Sequence, residues 1–340
     1  MAPHRPEPPL SGAEIRALVE SYHALAASGF QPDAFAEPPR HDFHAIDDDL
    51  VDYFTTHRPI PCRAEFFRAC GELEARVAAG TTGAAERYLV TMLTRRFDNF
   101  RRGMAGRINL VSLGDNCYPH MIAVRWGYCL PRRFGGGTMP FDLVNCPIEA
   151  TTTLLDSDFA GLLDPEALHA LDDADCCAHA RLGMVFRHEK GAAMRAAGFA
   201  RLREIYWTRI ERFRAALGNG RPTLFLFDHD VWPELAEDRV GAWGAGALPA
   251  LRGLIAAVEG VCRGPFLLLL VSRAATPPDP ALQALAGPRV RLVHCPFDRP
   301  GWWDVAVYAS AAGLRFESGV VAAIEAGCRD LLAARAAAAS

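Results

Sequence analysis

The chain has 340 residues, half of them hydrophobic and 22% charged, with a formal net charge of −4. This is the composition of an ordinary globular protein. The slight acidic excess excludes the basic footprint expected of a nucleic-acid or anionic-membrane binder. No apolar run approaches the ~20 residues of a membrane-spanning helix; the longest, Phe266–Val271, is strand-sized. The first residues lack the apolar stretch of a secretory signal, and the ten cysteines show no CxxC pair or regular spacing. A cytoplasmic protein with reduced thiols is therefore expected.

In chain order, residues 1–10 are Pro-rich, and Ser11 opens an S-x-x-E capping box before a helical apolar pattern. Loop-rich sequence over 31–61 and a second helical pattern up to about Phe100 complete a predicted N-terminal helical region, 1–104. From there the character changes. Short apolar runs at Ile108–Leu113, Met184–Phe186, Thr223–Phe227, Phe266–Val271 and Val290–Val293 read as strands. Helical stretches near 117–130, 147–163, 193–217, 244–262 and 317–337 lie between and after them. This alternation predicts an α/β layered fold over 105–340, with a largely parallel sheet flanked by helices. The wholly apolar Phe266–Val271 run suits a strand covered on both faces.

The most informative stretch is Leu110-Val-Ser-Leu-Gly-Asp-Asn-Cys-Tyr-Pro-His120. An apolar strand stops at Gly114, Asp115 and Asn116 are good N-cap residues, and Pro119 is tolerated only in a helix's first turn. Cys117 is thus placed at a helix N-terminus beyond the carboxyl end of a strand, where open α/β sheets collect their ligands. Unpaired N–H groups and the helix dipole there favour a thiolate and form a potential oxyanion hole. The bland alternative is a small buried hydrophobe.

Four motifs in order, Ser112-Leu113-Gly114-x-Asn116-Cys117, Pro140-Phe141-Asp142-Leu143, Phe186-Arg187-His188 and Tyr206-x-x-Arg209-Ile-x-x-Phe213, resemble a bacterial family of uncharacterised proteins grouped as papain-like cysteine peptidases. That family's pattern is SLG-x-x-C, PFDW, F-x-H and a Tyr/Arg-rich helix. The resemblance spans about residues 108–215, and Leu143 departs from it where the family carries Trp. It implies Cys–His hydrolase chemistry with Cys117 as nucleophile and His188 as general base. No glutamine precedes Cys117, so Ser112, Gly114 and Asn116, or their backbone N–H groups, would serve the oxyanion or bind substrate.

Other residues compete for roles. Asp142 suits capping the next helix, orienting His188 or binding substrate. Asp228, in Asp228-His229-Asp230 after the strongest strand, is a candidate third member of a Cys–His–Asp set. Cys176-Cys177-Ala-His179 lacks the spacing of a zinc site and reads as loop. Gly241–Gly246 reads as a turn, because no strand precedes it. Trp302-Trp303 suits a core anchor. Among the arginines of the 199–217 helix, solvation is the default. Three functions are open: a cysteine-dependent hydrolase or acyl transferase on a peptide or amide; a glycan or nucleotide-sugar transferase, in which Arg125, Arg132 and Arg133 would matter more than Cys117; or a non-catalytic binding protein. The expected partner is a small-molecule, peptide or glycan substrate, with no cofactor, metal, nucleic acid or membrane called for.

Overall fold

The structure, a computed structural model, describes residues 99, 104–129, 136–171, 175–229, 243–274, 276–297 and 311–339. The helical region expected over 1–104, Arg132, Arg133, Asp230 and Trp302-Trp303 lie outside the described residues, save for residue 99 and the region's last residue, Met104. The chain divides into two units, 1–103 with 301–314 and 104–300 with 315–340. Both sheets and the candidate site belong to the second unit.

The α/β architecture is present. A single helical turn, α1 (Met104–Arg107), leads into the first strand. Strands β1 (Asn109–Ser112), β5 (Thr223–His229), β6 (Phe266–Ser272) and β7 (Val290–His294) form one sheet in the order β1-β5-β6-β7, every neighbouring pair parallel. Four of the five runs expected as strands belong to this sheet, and β6 is buried along its whole length. The period-two alternation of a strand sends Leu224 and Leu267 to one face, and Val111, Phe225, Phe227, Leu268 and Leu270 to the other. On the second face they join a core with α3 (Ile148–Asp156), α4 (Ala192–Gly218) and α5 (Leu248–Val261). On the first, α6 (Ala311–Ala339) lies so close that a Cβ on Gly327 would stand 2.5 Å from Leu224 Cδ1 and 2.8 Å from Leu267 Cδ2. Glycine is what lets backbone meet sheet there. The shorter α2 (Tyr118–Arg125) joins α6 through Glu317, which accepts from Arg125 Nη1 and Trp126 Nε1, each at 2.6 Å.

Only one strand of the second sheet is among those expected from sequence. Met184–Phe186 (β4) belongs to a separate antiparallel sheet with β2 (Leu168–Leu171) and β3 (Cys176–His179), in the order β2-β3-β4. β3 is the Cys176-Cys177-Ala-His179 stretch, which reads as loop in the sequence. Its His179 ring is occupied structurally, with Nε2 on the Gly161 carbonyl at 3.0 Å and Nδ1 accepting from Leu182 N–H at 3.2 Å. Among the described residues no cluster of His, Cys, Asp and Glu is arranged to hold a metal, and every described cysteine is a free thiol. Nor is any described helix long and apolar enough to cross a membrane.

Candidate functional site

β1 ends in a turn whose tightness is written in its glycine. Gly114 takes φ +90°, and a Cβ there would lie 3.1 Å from the Cys146 carbonyl oxygen, so both conformation and space demand glycine. Ser112 Oγ faces the Gly114 N–H at 3.5 Å. Just beyond, Asp115 bridges Cys146, and Asn145 bridges Val185 of β4. Residues 145–146 therefore tie the carboxyl end of β1 to β4, and so to the turn that carries His188.

Cys117 precedes α2 as its N-cap residue but caps nothing with its side chain. That task falls to Asn116, whose Oδ1 accepts from Tyr118 N–H at 2.8 Å. The Cys117 thiol is mostly buried, 3.7 Å from Met121 Sδ. Its pKa is pushed up to about 11, chiefly by burial; a backbone hydrogen bond and Arg273 pull down, and Asp228 adds to the rise. The direction is opposite to that expected from the helix terminus. Desolvation outweighs the dipole.

Asp228, at 0% exposure, is gripped bidentately by Arg273, with Nε on Oδ1 at 3.0 Å and Nη2 on Oδ2. Asn116 Nδ2 donates to the same carboxylate at 3.4 Å. Arg273 in turn lies over the rings of Tyr118 at 4.9 Å and Phe316 at 5.2 Å. The carboxylate expected to orient His188 is thus engaged by an arginine at the end of the neighbouring strand.

Asp142 does orient a histidine, and it is His120. Its Oδ2 stands 3.1 Å from His120 Nδ1 and accepts from Met139 N–H at 2.6 Å. It does not cap α3, which starts at Ile148 after Pro147. A carboxylate can only accept here, so Nδ1 carries a hydrogen; in the neutral ring that leaves the lone pair on Nε2. His120 sits three residues after Cys117 on the first turn of α2, a spacing that puts the two on one helix face. Its place at i+3 from the cysteine was the signal available in the sequence.

His188 follows β4 in a turn, open to solvent on one side and crowded on the other. Loss of solvation, then the charges of Lys190, Arg209 and His120, lowers its pKa and favours the neutral ring. Among the described residues His188 makes no hydrogen bond or ion pair, and the charges acting on Cys117 (Arg273, Asp228) are not those acting on His188. The geometry thus assembles His120 with Asp142, sets His188 near them, and gives Cys117 an environment of its own.

Of the arginines on α4, Arg201 and Arg214 are exposed and paired with nearby acids. Arg209 is the exception, buried at 5% exposure against Glu189 and 4.6 Å over the Tyr206 ring. Arg125, the one described arginine singled out for a transferase, is committed to Glu317.

Comparison with protein-family models, curated proteins and solved structures finds no match for this chain. The fold and site define an α/β protein with a four-stranded parallel sheet and a carboxylate-oriented imidazole beside its carboxyl edge.

Proposed function

We propose that the protein is a transferase that moves a glycosyl group from a nucleotide sugar to an acceptor hydroxyl, with His120 as general base and Asp142 holding its tautomer. The observation that carries this is the 3.1 Å contact between His120 Nδ1 and Asp142 Oδ2. With the ring neutral, this contact leaves Nε2 as a proton acceptor, the arrangement general-base catalysis requires. In the reaction the acceptor oxygen bonds to the anomeric carbon, its proton passes to Nε2, and the bond to phosphate breaks with its electron pair on the departing nucleotide. No thiolate is needed, which agrees with a Cys117 thiol that stays protonated at neutral pH. A parallel α/β sheet with its polar residues at the carboxyl edge is a common site for nucleotide ligands, although fold alone does not select this chemistry.

The test is release of nucleoside diphosphate from UDP- and GDP-sugars, with and without glycan acceptors, alongside thermal shifts with the same donors. His120→Ala should lower turnover ~10²–10⁴-fold, and Cys117→Ala should leave it within a few-fold. If no donor raises the melting temperature or is turned over, the transferase reading is wrong.

A second reading, cysteine-dependent hydrolysis of a peptide or amide, is favoured by the three-residue spacing of Cys117, the N-cap residue, and His120 on the first turn of α2. It needs substrate binding to release the thiol proton to His120, and predicts that Cys117→Ala abolishes amide turnover.

A further inference from the structure

We infer that Arg209 is the positioning residue of the His120–Asp142 pair, acting from α4 through the segment that carries Asp142; the inference rests on the general-base role given to His120. One face of α4 presents Tyr206, Arg209 and Phe213 at helical spacing, all buried. Three residues of the segment before Asp142, Gly137, Thr138 and Phe141, meet this helix. A Cβ on Gly137 would stand 2.5 Å from Arg212 Nε, so the chain passes directly over that arginine. Thr138 Oγ1 accepts from Arg209 Nε at 3.0 Å. Phe141 meets Phe213 edge to face, ring centres 6.1 Å apart. Asp142 comes next, closed onto Met139 by the Asp142 N–H to Met139 carbonyl bond at 3.2 Å and the return bond from Met139 N–H.

The other arm of the same guanidinium, Nη2, holds Glu189, the residue after His188. Glu189 N–H donates to the Phe186 carbonyl at 3.2 Å, which fixes the turn after β4. A single planar fork therefore spans the loop that orients His120 and the loop that carries the second imidazole. The Tyr206 ring at 4.6 Å supports it from one side. Lysine has neither the fork nor the plane to replace it. An oriented base depends on this kind of support, because a shift of about 1 Å in the carboxylate frees the ring to change tautomer.

The experiment reads the His120 ring nitrogens by long-range ¹H–¹⁵N correlation in the ligand-free full chain, with ¹⁵N-histidine labelling. Wild type should show His120 with its proton on Nδ1, exchanging slowly with water. Thr138→Val removes only the acceptor of Arg209 Nε and should give a mixture of tautomers with Nδ1 proton exchange at least tenfold faster. The melting temperature and the signals of His179 and His294 should change little. The paired variant Arg209→Gln with Glu189→Gln should do the same more strongly, and Arg209→Lys should not restore the wild-type signature. Should the paired variant fail to fold, Thr138→Val decides alone. His120 signals unchanged in Thr138→Val overturn the inference, because a merely structural Arg209 would alter stability and leave the ring as it was. No substrate enters the measurement, so its failure is distinct from a failure of the donor-turnover assay.

Discussion

The Cys117 thiol decides between the two chemistries, and its behaviour with pH is open to direct measurement. Burial moves its pKa from 9.0 to about 11. At pH 8 an ordinary cysteine of pKa 9.0 is roughly one-tenth thiolate, whereas a pKa of about 11 leaves about one in a thousand, a deficit of about a hundredfold. A more basic thiolate is intrinsically more nucleophilic, with a Brønsted slope of about 0.5, which returns about tenfold. The net expectation is alkylation about tenfold slower than in the unfolded chain, before any steric loss. Absolute rate thus confuses ionisation with access, and the midpoint of the pH profile is the cleaner quantity. Timed alkylation with isotope-coded iodoacetamide from pH 7 to 11.5, read on the Cys117 peptide against a urea-unfolded reference, supplies it. The native rate should still be rising at pH 10. A midpoint at or below 9 would refute the desolvation argument and restore the nucleophile. The linkage sign agrees with this assay: with the folded pKa raised, the protonated thiol's contribution to stability is present below pH 9 and lost toward pH 11.

Three other predictions bear on the scaffold and the second imidazole. The pKa of His188 lies below its ordinary 6.5 through partial loss of solvation and the charges of Lys190, Arg209 and His120; its NMR titration should fall below 6.5, and Lys190→Ala should move it back up. Because the folded pKa is depressed, the stability tied to the neutral ring is present above pH 6.5 and lost as pH falls through the folded midpoint, so His188→Gln should flatten the acid limb of a stability–pH curve. Gly327→Ala puts a methyl 2.5 Å from Leu224 Cδ1 and should cost about 1–3 kcal/mol by overpacking. Gly260→Ala on α5, which meets nothing within 4 Å, should be neutral or stabilising by about 0.4–1 kcal/mol, both read from urea melts. Arg273→Met leaves Asp228 buried without its cation and should cost about 3–5 kcal/mol. The double change Arg273→Met with Asp228→Leu should recover most of it; equal losses in both would show that the pair's charges do not set the cost.

The parallel sheet was legible because its strands announce themselves locally. Thr223–Phe227 and Phe266–Val271 are apolar runs bounded by proline or polar residues, and a strand covered on both faces needs no partner information to be recognised. The helices were equally legible from period and length. The antiparallel sheet was not: Leu168–Leu171 and Cys176–His179 carry histidines, alanines and cysteines rather than an alternating apolar pattern. They are strands because Met184–Phe186 and its neighbours offer hydrogen-bonding edges, a tertiary cause with no local trace. The same limit explains α4, which the sequence presents as one amphipathic run but which leaves helical geometry at Ala196–Phe199, where Ala197, Gly198 and Phe199 all take φ between +50° and +64°.

At the site, the structure pairs the candidate residues differently from the sequence reading, for a reason the residues themselves display. Asp142 and Asp228 were both suited to orient an imidazole, because a carboxylate near a strand end can serve any donor within reach. Which donor it meets depends on strand order and loop path, and neither is encoded within a few residues of the acid. β6 lies beside β5 and delivers Arg273 to Asp228. The 137–142 segment, laid along α4 by Arg212, Arg209 and Phe213, delivers Asp142 to the first turn of α2. The pairing of His120 with Asp142 could therefore not be read locally; the sequence shows only that His120 stands three positions from Cys117. For Cys117 the contrast is complementary: its helix-terminal position is a local property, whereas the burial that raises its pKa is created by the rest of the fold. In the proposed reading, the balance between those two effects, dipole against desolvation, favours an imidazole base over a thiol nucleophile.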